Sequence, residues 1–187
     1  MPHRFPPLLQ PFNCHINPSH PNGNGIHQLT NRWQTDILDL RPDYVFILIG
    51  INDVWRWFDS NFQHNIALST PESYYQEYKH LIEETLPQTK NIFVLSPFMF
   101  ELNSKDLMRK KLQKYQVLAK KVAHQNNLQY IDIQVAIDRF LKSQSPYIVT
   151  KDRVHPNFSG HMFVANIILN SIGFDPQRLI KNTLVQN

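Results

Sequence analysis

The sequence predicts a single α/β domain in which a parallel sheet lies between two layers of helices. Three short apolar segments, 44–50, 91–96 and 128–133, have the length of buried strands. Segments with apolar residues at helical spacing precede, separate and follow them, and the connections between these elements are short. Strands that alternate with helices in this way pair in parallel through right-handed crossovers. We therefore expect a three-layer α/β/α sandwich.

Length and composition are consistent with one domain. A chain of 187 residues with 42% hydrophobic content can bury one core but is short for two. Residues 1–21 contain six of the thirteen prolines, so we expect an irregular lead-in there and the domain over residues 22–187. Neither a signal-peptide core nor a membrane-length apolar run occurs, so we expect a cytoplasmic protein. The lone Cys14 cannot form an internal disulfide, which fits a reducing compartment.

The first two elements follow from apolar spacing. A helix is predicted before Pro42 because five apolar residues share one helical face: Ile26, Leu29, Trp33, Ile37 and Leu40. Six of the seven residues in 44–50 are apolar without alternation, which is typical of a strand buried on both faces. A loop containing Trp55, Arg56 and Trp57 is expected after this strand.

The later elements are delimited by capping residues and prolines. Thr70 and Pro71 favour a helix start, and Pro87 ends that helix. After the strand at 91–96, Ser104 and Asp106 open a basic helix that runs to about Gln125. Beyond the strand at 128–133, helices are predicted near 135–141 and 159–172, with Gly173 as the last C-terminal cap.

The basic helix raises the question of nucleic-acid binding, since the formal charge is +4 and the pI is near 9.2. Its lysines and arginines alternate with apolar residues at helical spacing across 105–121. This pattern favours a solvated face of an amphipathic helix over a phosphate-binding stripe. We expect neither a nucleic-acid partner nor a membrane partner.

Polar residues with catalytic chemistry follow the predicted strands. Asn52 comes directly after the strand at 44–50, at the sheet edge where ligands of parallel sheets bind. Its amide can donate to an oxyanion, and the backbone N–H of Gly23 can add a second donor. His155 can act as a general base, and Asp152, three residues earlier, can orient its ring.

Simpler interpretations of these residues exist. An Asn-Asp pair after a strand is commonly a turn or a helix cap, and Gly23 and Gly25 can be ordinary turn glycines. His155 can simply precede a helix whose cap is Asn157.

Taken together, the motifs resemble the SGNH (GDSL) serine hydrolases across roughly residues 22–173. The similar blocks are Gly23-Asn24 with Arg32-Trp33, the segment Gly50-Ile51-Asn52-Asp53-Val54-Trp55, and Asp152 through His161. The resemblance implies a flavodoxin-like sandwich and an esterase without metal or other cofactor. It also implies the roles given above to Gly23, Asn52, Asp152 and His155.

Three short sequence motifs point to the carbohydrate acetylesterases within this family, namely Arg32-Trp33, Val54-Trp55 and Ser96-Pro97-Phe98. The substrates implied by the resemblance are short acyl esters of sugars. Trp55 and Arg56 are candidate substrate-binding residues.

The family's first block, a strand running into Gly-Asp-Ser, is not found before Gly23. Ser19 is the only preceding serine, but it lies between prolines four residues from Gly23, and the context of Cys14 is poorer still. We therefore identify no nucleophile and expect an N-terminally truncated or frame-shifted, nearly inactive form. The inner edge of strand 44–50 should then lack a partner unless residues 5–16 substitute, which leaves a homo-oligomer open.

Two further hypotheses remain at this point. Nine histidines invite a metal site, but their spacing matches no zinc signature and no cysteine pair accompanies them, so we expect none. A non-catalytic protein can instead bind sugars or a protein partner through the cleft, using Trp55, Arg56 and Trp57. The same aromatic residues can equally well cap the core at the sheet edge.

Overall fold

The computed structural model describes residues 23–58 and 68–174, so the predicted lead-in, Cys14 and Ser19 lie outside the described residues. Within these described ranges, the sheet contains three parallel strands in the order β1-β2-β3. They are β1 (Tyr44–Leu48), β2 (Asn91–Leu95) and β3 (Gln129–Ile131). The predicted parallel sheet with flanking helices is thus confirmed.

Six α-helices surround the sheet in the described part of the chain. They are α1 (Ile26–Thr30), α2 (Ile51–Trp55), α3 (Pro71–Thr85), α4 (Leu107–Gln125), α5 (Ile133–Leu141) and α6 (Phe158–Ser171). A π-helical turn covers Gln34–Leu38, and a 3₁₀ turn covers Pro146–Ile148. None of these helices combines the length and apolar character needed to cross a bilayer.

The predicted capping residues start the two long helices. Thr70 Oγ1 accepts the Ser73 N–H at 3.1 Å, with Pro71 at the first helical position of α3. Asp106 Oδ1 accepts the Arg109 N–H at 2.9 Å at the start of α4. Gly173 follows α6 with φ of 71°, the left-handed conformation that a glycine after a helix supplies.

The continuous helix predicted before Pro42 was wrong. After α1 the chain makes a turn and then the wider π-helical turn, which brings Leu38 into the core and leaves Leu40 56% exposed. Trp33 is 3% exposed, and its indole N–H donates to Thr85 Oγ1 at 2.9 Å. This contact with α3 sets the path of the segment, and a local helical pattern does not encode it.

Two further boundaries differ from prediction. The expected loop at Trp55 is helix α2, which puts Asn52 in a helical first turn. Helix α5 begins at Ile133, because Asp132 caps it by accepting the Val135 N–H, and β3 is correspondingly short.

The two faces of the sheet are covered unequally. On one face, Val45 and Ile47 are buried in a core shared with α3 and α4. On the other face, α5 and α6 cover the β2 residues Phe93 and Leu95, whereas two residues of β1, Phe46 (43% exposed) and Leu48 (44% exposed), remain accessible. The prediction that both faces of this strand are buried was therefore wrong for β1.

Candidate active site

The turn after β1 places Asn52 at the carboxyl end of the sheet. Gly50 makes this turn with φ of 127°, and a Cβ there would lie 3.0 Å from the Tyr74 hydroxyl and 3.1 Å from Pro97. Only glycine fits both the backbone conformation and the space. Helix α2 consequently starts directly at the strand end, with Asn52 in its first turn.

Asn52 lies against the segment that contains Gly23. Its Nδ2 donates to the Asn24 carbonyl oxygen at 2.9 Å. The amide carries a second N–H, for which no described residue is an acceptor. Gly23 itself has φ of 88°, and its carbonyl accepts from the Arg56 guanidinium. The predicted residues Asn52 and Gly23 are therefore neighbours, and we call them the oxyanion side of the site after the role predicted for them.

Asp53 fastens this side to the core. It is 3% exposed, and its Oδ1 accepts the Ile26 N–H at 2.9 Å and the Ser69 hydroxyl at 2.5 Å. A Cβ on Gly25 would lie 2.6 Å from the same oxygen, so only glycine allows this approach. Asp53 thereby caps the start of α1 from a different helix, a role that our sequence analysis missed.

Burial raises the pKa of Asp53. The hydrogen bonds from Ser69 and Ile26, and the nearby Arg56 and His27, oppose that change. Its Oδ2 is buried and has no hydrogen-bond partner among the described residues. The group is therefore suited to holding structure rather than to exchanging protons with a substrate.

Asp152 and His155 lie together on the turn before α6, and we call them the base side of the site after the role predicted for them. His155 Nδ1 lies 2.6 Å from Asp152 Oδ2, and both side chains are more than half exposed. Asp152 Oδ1 also accepts the backbone N–H groups of His155 at 2.8 Å and Val154 at 3.0 Å. An aspartate in this position holds the ring with its Nε2 available to accept a proton.

These hydrogen bonds also set the charge of Asp152. Partial burial alone would raise its pKa, but the donors from His155 and Val154 outweigh that effect and lower the pKa to about 2. Asp152 is therefore ionised at neutral pH.

The turn of the base side is closed by Thr150, whose Oγ1 donates to the His155 carbonyl at 2.7 Å. Val154 is 8% exposed and belongs to the core. Asn157 caps α6 by accepting the Gly160 N–H at 3.0 Å, as the simpler interpretation of His155 expected. That cap is compatible with a chemical role, because it leaves the imidazole outside the helix.

Trp55 connects the two sides. Its ring meets the His155 ring edge-to-face, with centroids 5.6 Å apart and an interplanar angle of 88°. Trp55 lies one helical turn after Asn52, so α2 and the Asp152–His155 turn meet at the same edge of the sheet. The neighbouring Arg56 donates to Gln28 Oε1 at 3.0 Å as well as to Gly23, which makes it a brace of the oxyanion side.

No nucleophile is found in residues 23–58 and 68–174. No serine hydroxyl there hydrogen-bonds to the His155 imidazole. Ser69 donates to Asp53, and Ser96 accepts from the Gln134 backbone; both serines are buried. Within these ranges, no group of three or more His, Cys, Asp or Glu side chains is arranged to hold a metal ion.

Comparisons with known proteins agree with this arrangement. An acetylxylan esterase from Geobacillus stearothermophilus is 38% identical over 154 residues, which cover 82% of this chain and 70% of that protein. The crystal structure of Axe2, an acetylxylan esterase from Geobacillus stearothermophilus, matches with a TM-score of 0.77 at 37% identity, covering 82% of this chain and 69% of that one. An α/β hydrolase enzyme from the metagenome of Lake Arreo, Spain, matches with a TM-score of 0.77 at 38% identity, covering 81% and 69% of the two chains.

Catalytic mutants of the Geobacillus enzyme have been solved in which a histidine, a serine or an aspartate is replaced by alanine. The aspartate precedes the histidine by three positions, as Asp152 precedes His155. The profile of the GDSL-like lipase/acylhydrolase family matches residues 16–163. The chain therefore belongs to the GDSL-like lipase/acylhydrolase family of serine ester hydrolases.

Proposed function

We propose that this protein hydrolyses acetyl esters of carbohydrates, with Asn52 and Gly23 as the oxyanion hole and Asp152 and His155 as the base pair. The observation that carries this proposal is the contact between Trp55 and His155. It links the helix that bears Asn52 to the turn that bears the imidazole, so both can serve one reacting carbonyl.

In this mechanism His155 Nε2 takes the proton of the attacking hydroxyl and later returns it to the leaving alcohol. Asp152 Oδ2, 2.6 Å from Nδ1, accepts the Nδ1–H and stabilises the imidazolium that forms. The low pKa of Asp152, about 2, keeps this carboxylate charged throughout the reaction. The proposal assigns the nucleophile to no residue of 23–58 or 68–174, so it must come from outside these ranges.

The tetrahedral intermediate places negative charge on the former carbonyl oxygen. We assign the second Asn52 N–H and the backbone N–H of Gly23 as its donors. Asn52 is preorganised for this task, because its bond to the Asn24 carbonyl fixes the amide plane. Arg56 supports the same geometry by holding the Gly23 carbonyl.

The acetylated-carbohydrate substrate rests on similarity to the acetylxylan esterase, together with the tryptophan beside the imidazole. Trp55 offers an apolar surface at the carbonyl site, and such aromatic surfaces suit the apolar faces of sugar rings. We propose that Trp55 contacts the sugar directly. Arg56 affects sugar binding by holding the oxyanion side in place, rather than through a direct charge interaction with the sugar.

Turnover of p-nitrophenyl acetate and of acetylated xylo-oligosaccharides tests the proposal. His155→Ala should abolish hydrolysis, while His161→Ala, an exposed histidine on α6, should retain it. Ser19→Ala and Cys14→Ala decide whether either residue supplies the nucleophile. Equal rates for His155→Ala and the unmodified protein would refute the assignment.

A non-catalytic binding protein is the second candidate. It is favoured by the absence of a serine partner for His155 in the described part of the chain. In that case calorimetry should detect binding of acetylated xylo-oligosaccharides, weakened by Trp55→Ala, without any acetate release. Acetate release that depends on His155 would exclude it.

A further inference from the structure

The turn between Asp152 and His155 contains an unusual backbone conformation. Arg153 has φ of 72°, in the left-handed region, and is one of three non-glycine residues with positive φ in the described part of the chain. A residue with a Cβ disfavours this region, so surrounding contacts must hold it there.

Two kinds of contact hold Arg153. Its carbonyl oxygen accepts the Phe100 N–H at 2.8 Å. Its Nη1 lies 2.9 Å from Glu101 Oε2 and 3.2 Å from Asp106 Oδ2. All three partners belong to the segment that joins β2 to α4, so Arg153 attaches the base-side turn to this segment.

The two carboxylates are themselves fixed. Asp106 Oδ1 caps α4 by accepting the Arg109 N–H. Glu101 Oε1 accepts the Asn103 N–H at 2.8 Å. Each carboxylate therefore has one oxygen on its local backbone and the other on the Arg153 guanidinium. Such doubly engaged partners give the guanidinium a fixed point in the loop that leads into α4.

We propose that Arg153 is a positioning residue, whose guanidinium bridge to Glu101 and Asp106 sets the Asp152–His155 turn against the sheet edge. The inference rests on the proposed function, because it takes this pair as the base of the reaction. Without the bridge, the described contacts of Arg153 itself with the segment between β2 and α4 are reduced to the Phe100 hydrogen bond. The backbone of the turn should then become more mobile, and the His155 imidazole should be held less firmly in position.

Three substitutions separate the side chain from the backbone. Arg153→Ala removes the bridge and keeps a Cβ at positive φ, whereas Arg153→Gly removes the bridge and relieves the backbone. Arg153→Lys keeps the positive charge but replaces the planar guanidinium with a compact ammonium group. Lys151→Ala is the matched control, because Lys151 is exposed in the same turn and forms no ion pair with any described residue.

Amide hydrogen exchange, followed residue by residue, reports the turn independently of turnover. The N–H groups of Val154 and His155, both bonded to Asp152, should exchange about tenfold faster in Arg153→Ala and Arg153→Gly. Arg153→Lys should lie between these variants and the unmodified protein, and Lys151→Ala should match the latter. Unchanged exchange rates in both Arg153→Ala and Arg153→Gly overturn the proposal. Exchange in Arg153→Gly at the rate of the unmodified protein also overturns it, because backbone strain alone would then explain the effect of Arg153→Ala.

Ester turnover then tests the link to chemistry. Arg153→Ala should lower kcat about 10- to 100-fold with KM changed less than about twofold, since the imidazole is misplaced and the substrate contacts are kept. A rise in KM alone contradicts positioning and indicates a direct substrate contact. If no variant and not even the unmodified protein turns over ester while the exchange differences stand, the proposed function fails and the positioning role remains.

Discussion

The oxyanion side and the base side of the site are built in different ways. The oxyanion side is tied into the core by Asp53, which is 3% exposed and hydrogen-bonded to α1 and to the loop before α3. On the base side, the side chains of Asp152 and His155 are more than half exposed. They lie on a turn that is held mainly by contacts with the segment between β2 and α4. Substitutions on the first side should therefore affect stability and chemistry together, and those on the second mainly chemistry.

His155→Ala gives the sharpest contrast. Loss of the base should reduce ester turnover by about 10⁴-fold or more, because the proposed acceptor of the nucleophile's proton is removed. The melting temperature should change little, since the ring is 62% exposed. Ester turnover and thermal unfolding of His155→Ala, measured together with the control His161→Ala, check both expectations. A large loss of stability would show that the two sides do not differ as described.

Asn52→Ala should affect both properties. Removing one oxyanion donor should lower kcat by about 10²- to 10³-fold. Losing the bond to the Asn24 carbonyl should also cost about 1 kcal/mol of unfolding free energy. Asn166→Ala, an exposed asparagine on α6, is the control for both measurements. A stability loss without a kcat loss would remove Asn52 from the oxyanion hole.

Asp53 tests how the oxyanion side is held. Asp53→Ala leaves the Ile26 N–H and the Ser69 hydroxyl without their acceptor and should destabilise the fold by about 3 kcal/mol in urea unfolding. Asp53→Asn keeps an acceptor in place and should lose about 1 kcal/mol or less, because burial already disfavours the charge. Equal losses in the two variants would mean that the charge, rather than the hydrogen bonds, stabilises this side.

The smallest expected effect is the pH dependence contributed by Asp152. Its folded pKa of about 2 lies below the ordinary 3.8, so its stabilising contribution is present above about pH 4 and is lost as the pH falls towards 2. Solvent screening should keep this contribution below about 1 kcal/mol. Urea unfolding of the protein and of Asp152→Asn should thus differ at about pH 7 and converge near pH 2. A difference that grows on acidification would contradict this sign.

The parts of the fold that sequence could predict are those with local causes. Thr70, Pro71 and Asp106 act within one helical turn, so the starts of α3 and α4 were predicted correctly. The break after α1 depends on the Trp33 contact with Thr85, fifty-two residues away. The exposure of Phe46 likewise depends on which helices reach that face of β1.

The candidate site shows the same division. Asn52, Asp152 and His155 stand in recognisable motifs, so sequence comparison was enough to select them. Asp53 stands beside Asn52, but its role arises only when Gly25 and Ser69 are brought to it. The role of Arg153 depends on a positive φ and on carboxylates from another loop, neither of which a spacing pattern encodes.

The edge-to-face packing of Trp55 on His155 gives the protein an intrinsic optical reporter. The emission of an indole depends on its surroundings, so the fluorescence of Trp55 reports whether the His155 ring still packs against it. Trp33 and Trp57 pack against Thr85 and Lys111 and lack such a neighbour among the described residues. Displacement of the turn that carries this histidine can therefore be followed in solution without any substrate, label or turnover.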